Sequence, residues 1–142
     1  MTDPSYDTRS KVPGGGRGSC LCGAVSYVVD GPLRNVVACH CTQCRKQSGH
    51  HYAASAALDA DLTVEGGEKL TWYAASDEAK RGFCSVCGSA MFWKGEGKDR
   101  TSIMAGTLDE HPGLRMEAHI FCADKGSYYE VPNDAPSYPQ SD

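Results

Sequence analysis

Lys80-Arg81-Gly82-Phe83-Cys84-Ser85-Val86-Cys87-Gly88-Ser89-Ala90-Met91-Phe92-Trp93 is the stretch on which the fold of this chain turns. At its centre is a Cys-x-x-Cys knuckle, which presents two thiolates to one metal ion. Gly88 permits the tight backbone turn such an ion requires. Lys80 to Phe83 leads into the knuckle and Ala90 to Trp93 leaves it, so the knuckle reads as the join between two antiparallel strands. A closed four-sulfur site needs two more donors. Working outward, Cys20-Leu21-Cys22 offers them, because residues i and i+2 at a strand start point to one face. Pairing Cys20 and Cys22 with Cys84 and Cys87 staples the beginning of the domain to a distant hairpin. Such a site does no chemistry and contributes folding free energy on the order of several kcal/mol.

The rest of the chain continues the pattern of short strands and turns. Ala24 to Val29 is β-branched and partly alternating, and Asp30-Gly31-Pro32 ends it. Arg34 to Ala38 reads as a strand that delivers Cys39. Ala53 to Leu58, Leu62 to Glu65, Lys69 to Tyr73, Thr101 to Ala105 and Ala118 to Phe121 complete the set. Gly66-Gly67, between two of these runs, predicts a hairpin. One short helix is expected over Thr42 to Ser48, stopped by Gly49. The expected class is mostly β: an antiparallel, zinc-stabilised β-sandwich of short strands with at most one or two short helices. Residues 1–17, with Pro4, Pro13 and Gly14-Gly15-Gly16, read as a flexible tail and not as a phosphate cradle, since no Gly-Lys-Ser/Thr ending follows. Residues 18–131 are expected to form one zinc-binding domain, the catalytic one if the chain is an enzyme, and residues 132–142, rich in proline, an extended or disordered tail.

A chain of 142 residues suits one domain with a modest core. Its 16 Gly and 7 Pro favour turns over long helices. The net charge of −4, with no basic run longer than Arg45-Lys46 or Lys80-Arg81, argues against nucleic acid or an anionic membrane as partner. Met1 to Gly18 lacks the apolar core of a secretory signal, and no stretch approaches the ~20 apolar residues of a membrane span. The expectation is a cytoplasmic protein, where paired cysteines bind metal more often than they form disulfides. A bridge across the single residue separating Cys20 from Cys22, or Cys39 from Cys41, would also be strained.

Cys39-His40-Cys41-Thr42-Gln43-Cys44 carries the chemistry. Three sulfurs in six residues can hold one face of an ion and leave its fourth position to an incoming ligand. Three thiolates make the ion a poor activator of water but a soft acceptor of another sulfur, so thiol chemistry is favoured over hydrolysis. Closure of the site by Cys122 or by a histidine is the alternative. His40, His51 and His119 are candidate general acids by residue type alone. His111 reads as a loop residue.

Three ordered pieces resemble the glutathione-dependent formaldehyde-activating enzymes, whose domain is shared with centromere protein V. They are Gly18-Ser19-Cys20-Leu21-Cys22-Gly23-Ala24-Val25, Cys39-His40-Cys41-Thr42-Gln43-Cys44-Arg45-Lys46 with Gly49, and Phe83-Cys84-Ser85-Val86-Cys87-Gly88-Ser89; His119-Ile120-Phe121 and Lys125-Gly126-Ser127-Tyr128 are a later echo. The resemblance implies a mostly β zinc domain with two zinc ions per chain. One is structural, on Cys20, Cys22, Cys84 and Cys87; the other is exchangeable, on Cys39, Cys41 and Cys44. It implies a carbon–sulfur lyase run in reverse, adding glutathione to formaldehyde or a small aldehyde. Arg45 and Lys46 are candidates to attract the glutathione carboxylates. A monomer or homodimer is expected. The alternatives are a non-catalytic zinc-stabilised binding module and, more weakly, a thiol-redox or metal-buffering protein.

Overall fold

The computed structural model describes residues 9–110 and 113–141, so His111 and residues 1–8 of the expected tail lie outside it. The described residues hold twelve strands and one α-helix. In chain order these are β1 (Lys11–Val12), β2 (Gly16–Ser19), β3 (Ser26–Val29), β4 (Leu33–Arg34), β5 (Val36–Cys39), α1 (Thr42–Ser48), β6 (Tyr52–Leu58), β7 (Leu62–Glu65), β8 (Leu70–Ala74), β9 (Ala79–Cys84), β10 (Ala90–Gly95), β11 (Arg100–Met104) and β12 (Met116–Ile120). The fold is mostly β, as the short alternating runs require.

Seven strands form the main sheet in the order β12-β5-β6-β11-β10-β9-β8, and β2-β3-β7 form a second; β1 pairs with β4. All pairs are antiparallel except β12 with β5, a parallel contact that sets His119 opposite Ala38 and Ile120 opposite Cys39. Within the span read as an amino-terminal tail, β1 and the start of β2 are paired. At the other end, residues 136–140 run beside β12, where His119 N–H donates to Pro136 C=O and Tyr138 N–H to His119 C=O, both at 2.9 Å.

The main sheet is buried along β5, β6, β10 and β11 while β8 at its edge is exposed, and alternation along the strands sorts side chains between two cores. Phe92 belongs to one and the next residue, Trp93, to the other. The first core packs the small sheet against the large one: Val25, Tyr27 and Val29 meet Met91, Phe92 and Ile103, with the Tyr27 and Phe92 rings edge-on at 5.5 Å. Cys20 and Cys84 sit in this core. The second holds Val37, Tyr52, Ala54, Trp93 and Ile120, together with Cys39, Cys41 and Cys44. Each cysteine cluster therefore belongs to its own core.

The knuckle joins two paired strands as expected, with Ala90 opposite Phe83 across β9 and β10. The Gly66-Gly67 hairpin does not form. β7 pairs with β3 in the small sheet while β8 pairs with β9 in the large one, so this turn carries the chain between layers. Gly66 adopts φ +75°, and a Cβ there would sit 2.0 Å from the Ala24 carbonyl oxygen. The glycine thus serves close approach of the crossing to β3, a requirement that looks like a hairpin turn in sequence.

Candidate functional site

The four-cysteine group assembles from two separate stretches, as their spacing implies. The sulfurs of Cys20, Cys22, Cys84 and Cys87 all lie within 4.8 Å of one another. Cys20 and Cys22 are 3.7 Å apart, and Cys22 and Cys84 3.9 Å. Two sulfurs bound tetrahedrally at about 2.3 Å would be separated by about 3.8 Å, so this group fits a metal ion. Local backbone shapes the cradle: Val25 N–H donates to Cys20 Sγ at 3.3 Å and Val86 N–H to Cys84 Sγ at 3.4 Å. The Ser89 hydroxyl, 3.2 Å from Cys87 Sγ, is the main cause of a Cys87 thiol lowered to about 5.

The three-cysteine group is local in sequence and buried in space. Cys39 ends β5, Cys41 caps the amino end of α1, and Cys44 lies one turn into the helix, 1% exposed. Cys41 has extended φ/ψ (−66°, 159°), and its sulfur accepts the Cys44 N–H at 3.3 Å, the usual geometry of a cap. Gly49 closes the helix at φ +87° and donates its N–H to Arg45 C=O. The three sulfurs lie within 4.8 Å of one another, and no further Cys, His, Asp or Glu among the described residues joins them at that distance. Cys122 stands apart, in a short 3-10 turn after β12.

Electrostatics concentrate negative charge on Cys41. The Cys39 thiol donating to it is the largest cause of a Cys41 pKa held far below the usual thiol range, with Cys44 next. Cys39 moves the opposite way, chiefly because it shares that hydrogen bond. Cys44 is pulled down by Cys39, but Cys41 and burial outweigh this and leave it at about 11. Three neutral thiols would not need a cation beside them, yet Arg81 supplies one.

Arg81, on β9, is 1% exposed. Its Nη2 donates to Cys44 Sγ at 3.3 Å and to Gln43 Oε1 at 2.8 Å, and its Nε reaches the same Gln43 oxygen at 3.0 Å. The guanidinium lies 5.3 Å from the Tyr52 ring centroid. Sequence reading placed Arg81 only in a short basic pair. Nothing in local spacing links β9 to α1, and only the sheet order brings them together.

The other candidates are resolved in part. Arg45 Nε donates to the Asp124 carbonyl at 3.1 Å, which ties α1 to the turn after β12, while Lys46 is exposed. His40 is fully buried and does not join the sulfur group. Its Nδ1 meets the Tyr129 hydroxyl at 2.5 Å and its Nε2 meets His119 Nδ1 at 2.9 Å. His119 Nε2 in turn meets Asp134 Oδ1 at 2.7 Å. Burial is the main cause of a His40 pKa lowered to about 4, with the neighbouring His51 next. The His51 ring centroid lies 4.8 Å from that of His40, and His50 Nδ1 pairs with the Tyr128 hydroxyl. Tyr129 and Asp134 carried no signal in the sequence, since the second of two adjacent tyrosines and an aspartate in a proline-rich stretch look like surface.

Among the described residues no helix is long and apolar enough to cross a membrane. Comparison with known proteins agrees with the cysteine framework. A protein of Halomonas elongata, provisionally named a glutathione-dependent formaldehyde-activating enzyme, is 40% identical over 83 residues, and this match spans only 53% of either chain. An uncharacterized lyase of Schizosaccharomyces pombe is 27% identical over 119 residues, 82% of this chain and 85% of that one. A crystal structure of a Rhodobacter sphaeroides protein is 31% identical, with a TM-score of 0.57 over 68% of this chain and 91% of the other. The profile of the glutathione-dependent formaldehyde-activating enzymes matches residues 16–124, a span that takes in both cysteine clusters, and the chain belongs to that family.

Proposed function

We propose that this protein is a cytoplasmic, zinc-dependent carbon–sulfur lyase acting in the synthetic direction, adding glutathione to formaldehyde or a small aldehyde. The observation that carries the reading is the buried group of Cys39, Cys41 and Cys44, which offers three of the four donors tetrahedral zinc takes. The Cys20, Cys22, Cys84 and Cys87 group would hold a second, structural zinc. Zinc at the three-cysteine group would lower the pKa of a substrate thiol, making it a nucleophile near neutral pH.

The chain's own residues account for the rest. Arg81 offsets the charge of the clustered thiolates, so that a further anionic sulfur is tolerated in a buried setting. α1 fixes Cys41 and Cys44 one turn apart, and β5 brings Cys39 to them. In the reaction the thiol sulfur adds to the aldehyde carbon, the carbonyl π pair moves onto oxygen, and that oxygen takes up the proton the sulfur lost. Arg45 and Lys46, in the last turn of α1, would meet the glutathione carboxylates.

Exchange NMR between free formaldehyde and S-(hydroxymethyl)glutathione tests this. The wild-type protein should accelerate the exchange and carry two zinc ions per chain. Cys41→Ser should lose the acceleration and one of the ions. Equal acceleration by both proteins would show that the three-sulfur group is not catalytic and would favour a binding module.

A further inference from the structure

A cavity of about 270 Å³ lies on the side of the main sheet away from Cys39, Cys41 and Cys44. Those cysteines pack in the second core, whereas Phe92, which lines the cavity, belongs to the first. β7 is the outer strand of the small sheet, and its Leu62 and Val64 form one wall. The other wall comes from β8, β9 and β10, where the large sheet extends past the small one and leaves Trp72 and Lys80 exposed.

Strand register sorts this face into two rows. Trp72, Gly82 and Phe92 stand opposite one another across β8, β9 and β10 and make an apolar row. A Cβ on Gly82 would come 3.0 Å from the Trp72 ring, so glycine leaves room for the indole to lie across the sheet. The indole is inclined only 20° to the Phe92 ring, with centroids 6.3 Å apart. Two residues further along the same strands, Lys80 and Lys94 stand opposite one another and make a charged row. Two residues of strand separate the rows by about 6.7 Å.

Like charges directly opposite one another destabilise a sheet. One of these two is balanced. Lys94 Nζ ion-pairs with Asp59, and the Thr101 hydroxyl holds that carboxylate by donating to its Oδ1 at 2.6 Å. The other is not balanced. Among the described residues no carboxylate pairs with Lys80, whose ammonium lies 4.6 Å from the Trp72 ring centroid. Covering the indole explains where Lys80 lies, but not why a second cation faces Lys94. The cavity thus combines an aromatic floor with one positive charge in excess at its rim.

We propose that this cavity binds a small monocarboxylate with an apolar or aromatic body, of the arylacetate kind. The carboxylate meets the Lys80 ammonium at the charged row and cancels the excess charge there. The body lies in the apolar row against Trp72 and Phe92, with Leu62 and Val64 closing over it. The distance between the rows matches an acid whose charged and apolar ends are a few bonds apart. The volume suits a small molecule and not a protein segment. The site takes no residue from the three-cysteine group, so it stands apart from the thiol–aldehyde reading.

Proton–nitrogen NMR of the full-length, zinc-loaded protein tests this through its 2 tryptophans. Trp72 lines the cavity, and Trp93 sits in the second core with the three cysteines. Trp72→Phe assigns the two indole signals. Phenylacetate titrated at low ionic strength should shift the Trp72 signal along a saturable curve and leave Trp93 in place. Phenylacetamide keeps the ring and loses the charge, acetate the reverse; each should bind at least about 10-fold more weakly. Lys80→Met should weaken phenylacetate about 10-fold, and Lys80→Arg should stay within about threefold. Position 80 is exposed, and indole signals like those of the wild type without ligand show that each variant has folded. A Trp72 signal that does not move overturns the proposal. So does an amide or acetate that binds as tightly as phenylacetate, or a Lys80→Met protein that binds as the wild type does. A shift confined to Trp93 would place the acid at the three-cysteine group and overturn it as well.

Discussion

Replacing Arg81 with methionine probes whether the three-cysteine group is charged in the folded protein. Among the described residues no carboxylate ion-pairs with Arg81, and Nη1 of its guanidinium is buried without a partner. A lone buried guanidinium would be costly, so the sulfur cluster, whose charge is centred on Cys41, is its counter-charge. At a separation of about 4–6 Å and an effective dielectric near 20, a unit charge shared by the cluster attracts the guanidinium by about 3–4 kcal/mol, part of which offsets the desolvation of both ions. Removing only the cation leaves the thiolate charge buried and unpaired, so Arg81→Met should cost about 3–5 kcal/mol. Lysine lacks the fork that reaches Gln43 and Cys44 together and should restore only part of this. The assay is urea denaturation in reducing, zinc-containing buffer, with Arg81→Met measured in the wild-type and Cys44→Ala backgrounds. In the second background its cost should fall by about 2 kcal/mol, since the hydrogen bond from Nη2 to Cys44 Sγ is already gone. A cost that is the same in both backgrounds, within about 0.5 kcal/mol, would show that Arg81 stabilises by packing on Tyr52 and not by pairing with sulfur.

Two further outcomes follow from the first core. Burial is the main cause of a Tyr27 pKa raised to about 12, and its hydroxyl bonds Thr107 at 2.7 Å. Because the folded value lies above the unfolded value near 10, the unfolded chain releases its proton first, so this contribution is complete below pH 10 and lost as pH rises to 12. Tyr27→Phe should cost about 1 kcal/mol at pH 7 and flatten the decline between pH 10 and 12; parallel curves for both proteins in urea titrations would refute it. Cys84→Ala removes a donor at the centre of the fold and should lower both zinc content and thermal stability, by several kcal/mol, whereas Cys41→Ser should lower zinc content with a smaller loss of stability. Equal melting temperatures for these two variants would contradict the division into a structural and a reactive group.

How legible the chain was depended on the range over which each feature is set. The Cys84–Cys87 knuckle could be read directly, because two ligands and a turn glycine specify their geometry within a few residues. The helix over Thr42–Ser48 was readable for the same reason, with a cap at one end and Gly49 at the other. Gly66-Gly67 misled because a left-handed glycine is compatible with either a hairpin or a crossing, and strand pairing chooses between them. Arg45 and Lys46 are legible as binding candidates by charge alone, and only the fold shows that Arg45 also donates to the Asp124 carbonyl.

Local spacing settled which sulfurs come together, since a tetrahedral site constrains its donors within ångströms and those constraints survive in the order of residues. Arg81 against Cys44, and Tyr129 with Asp134 about His40, came only from the folded chain. Their partners lie dozens of positions away, and sheet order and the parallel β12–β5 contact, which no short window of residues encodes, decide which of them meet.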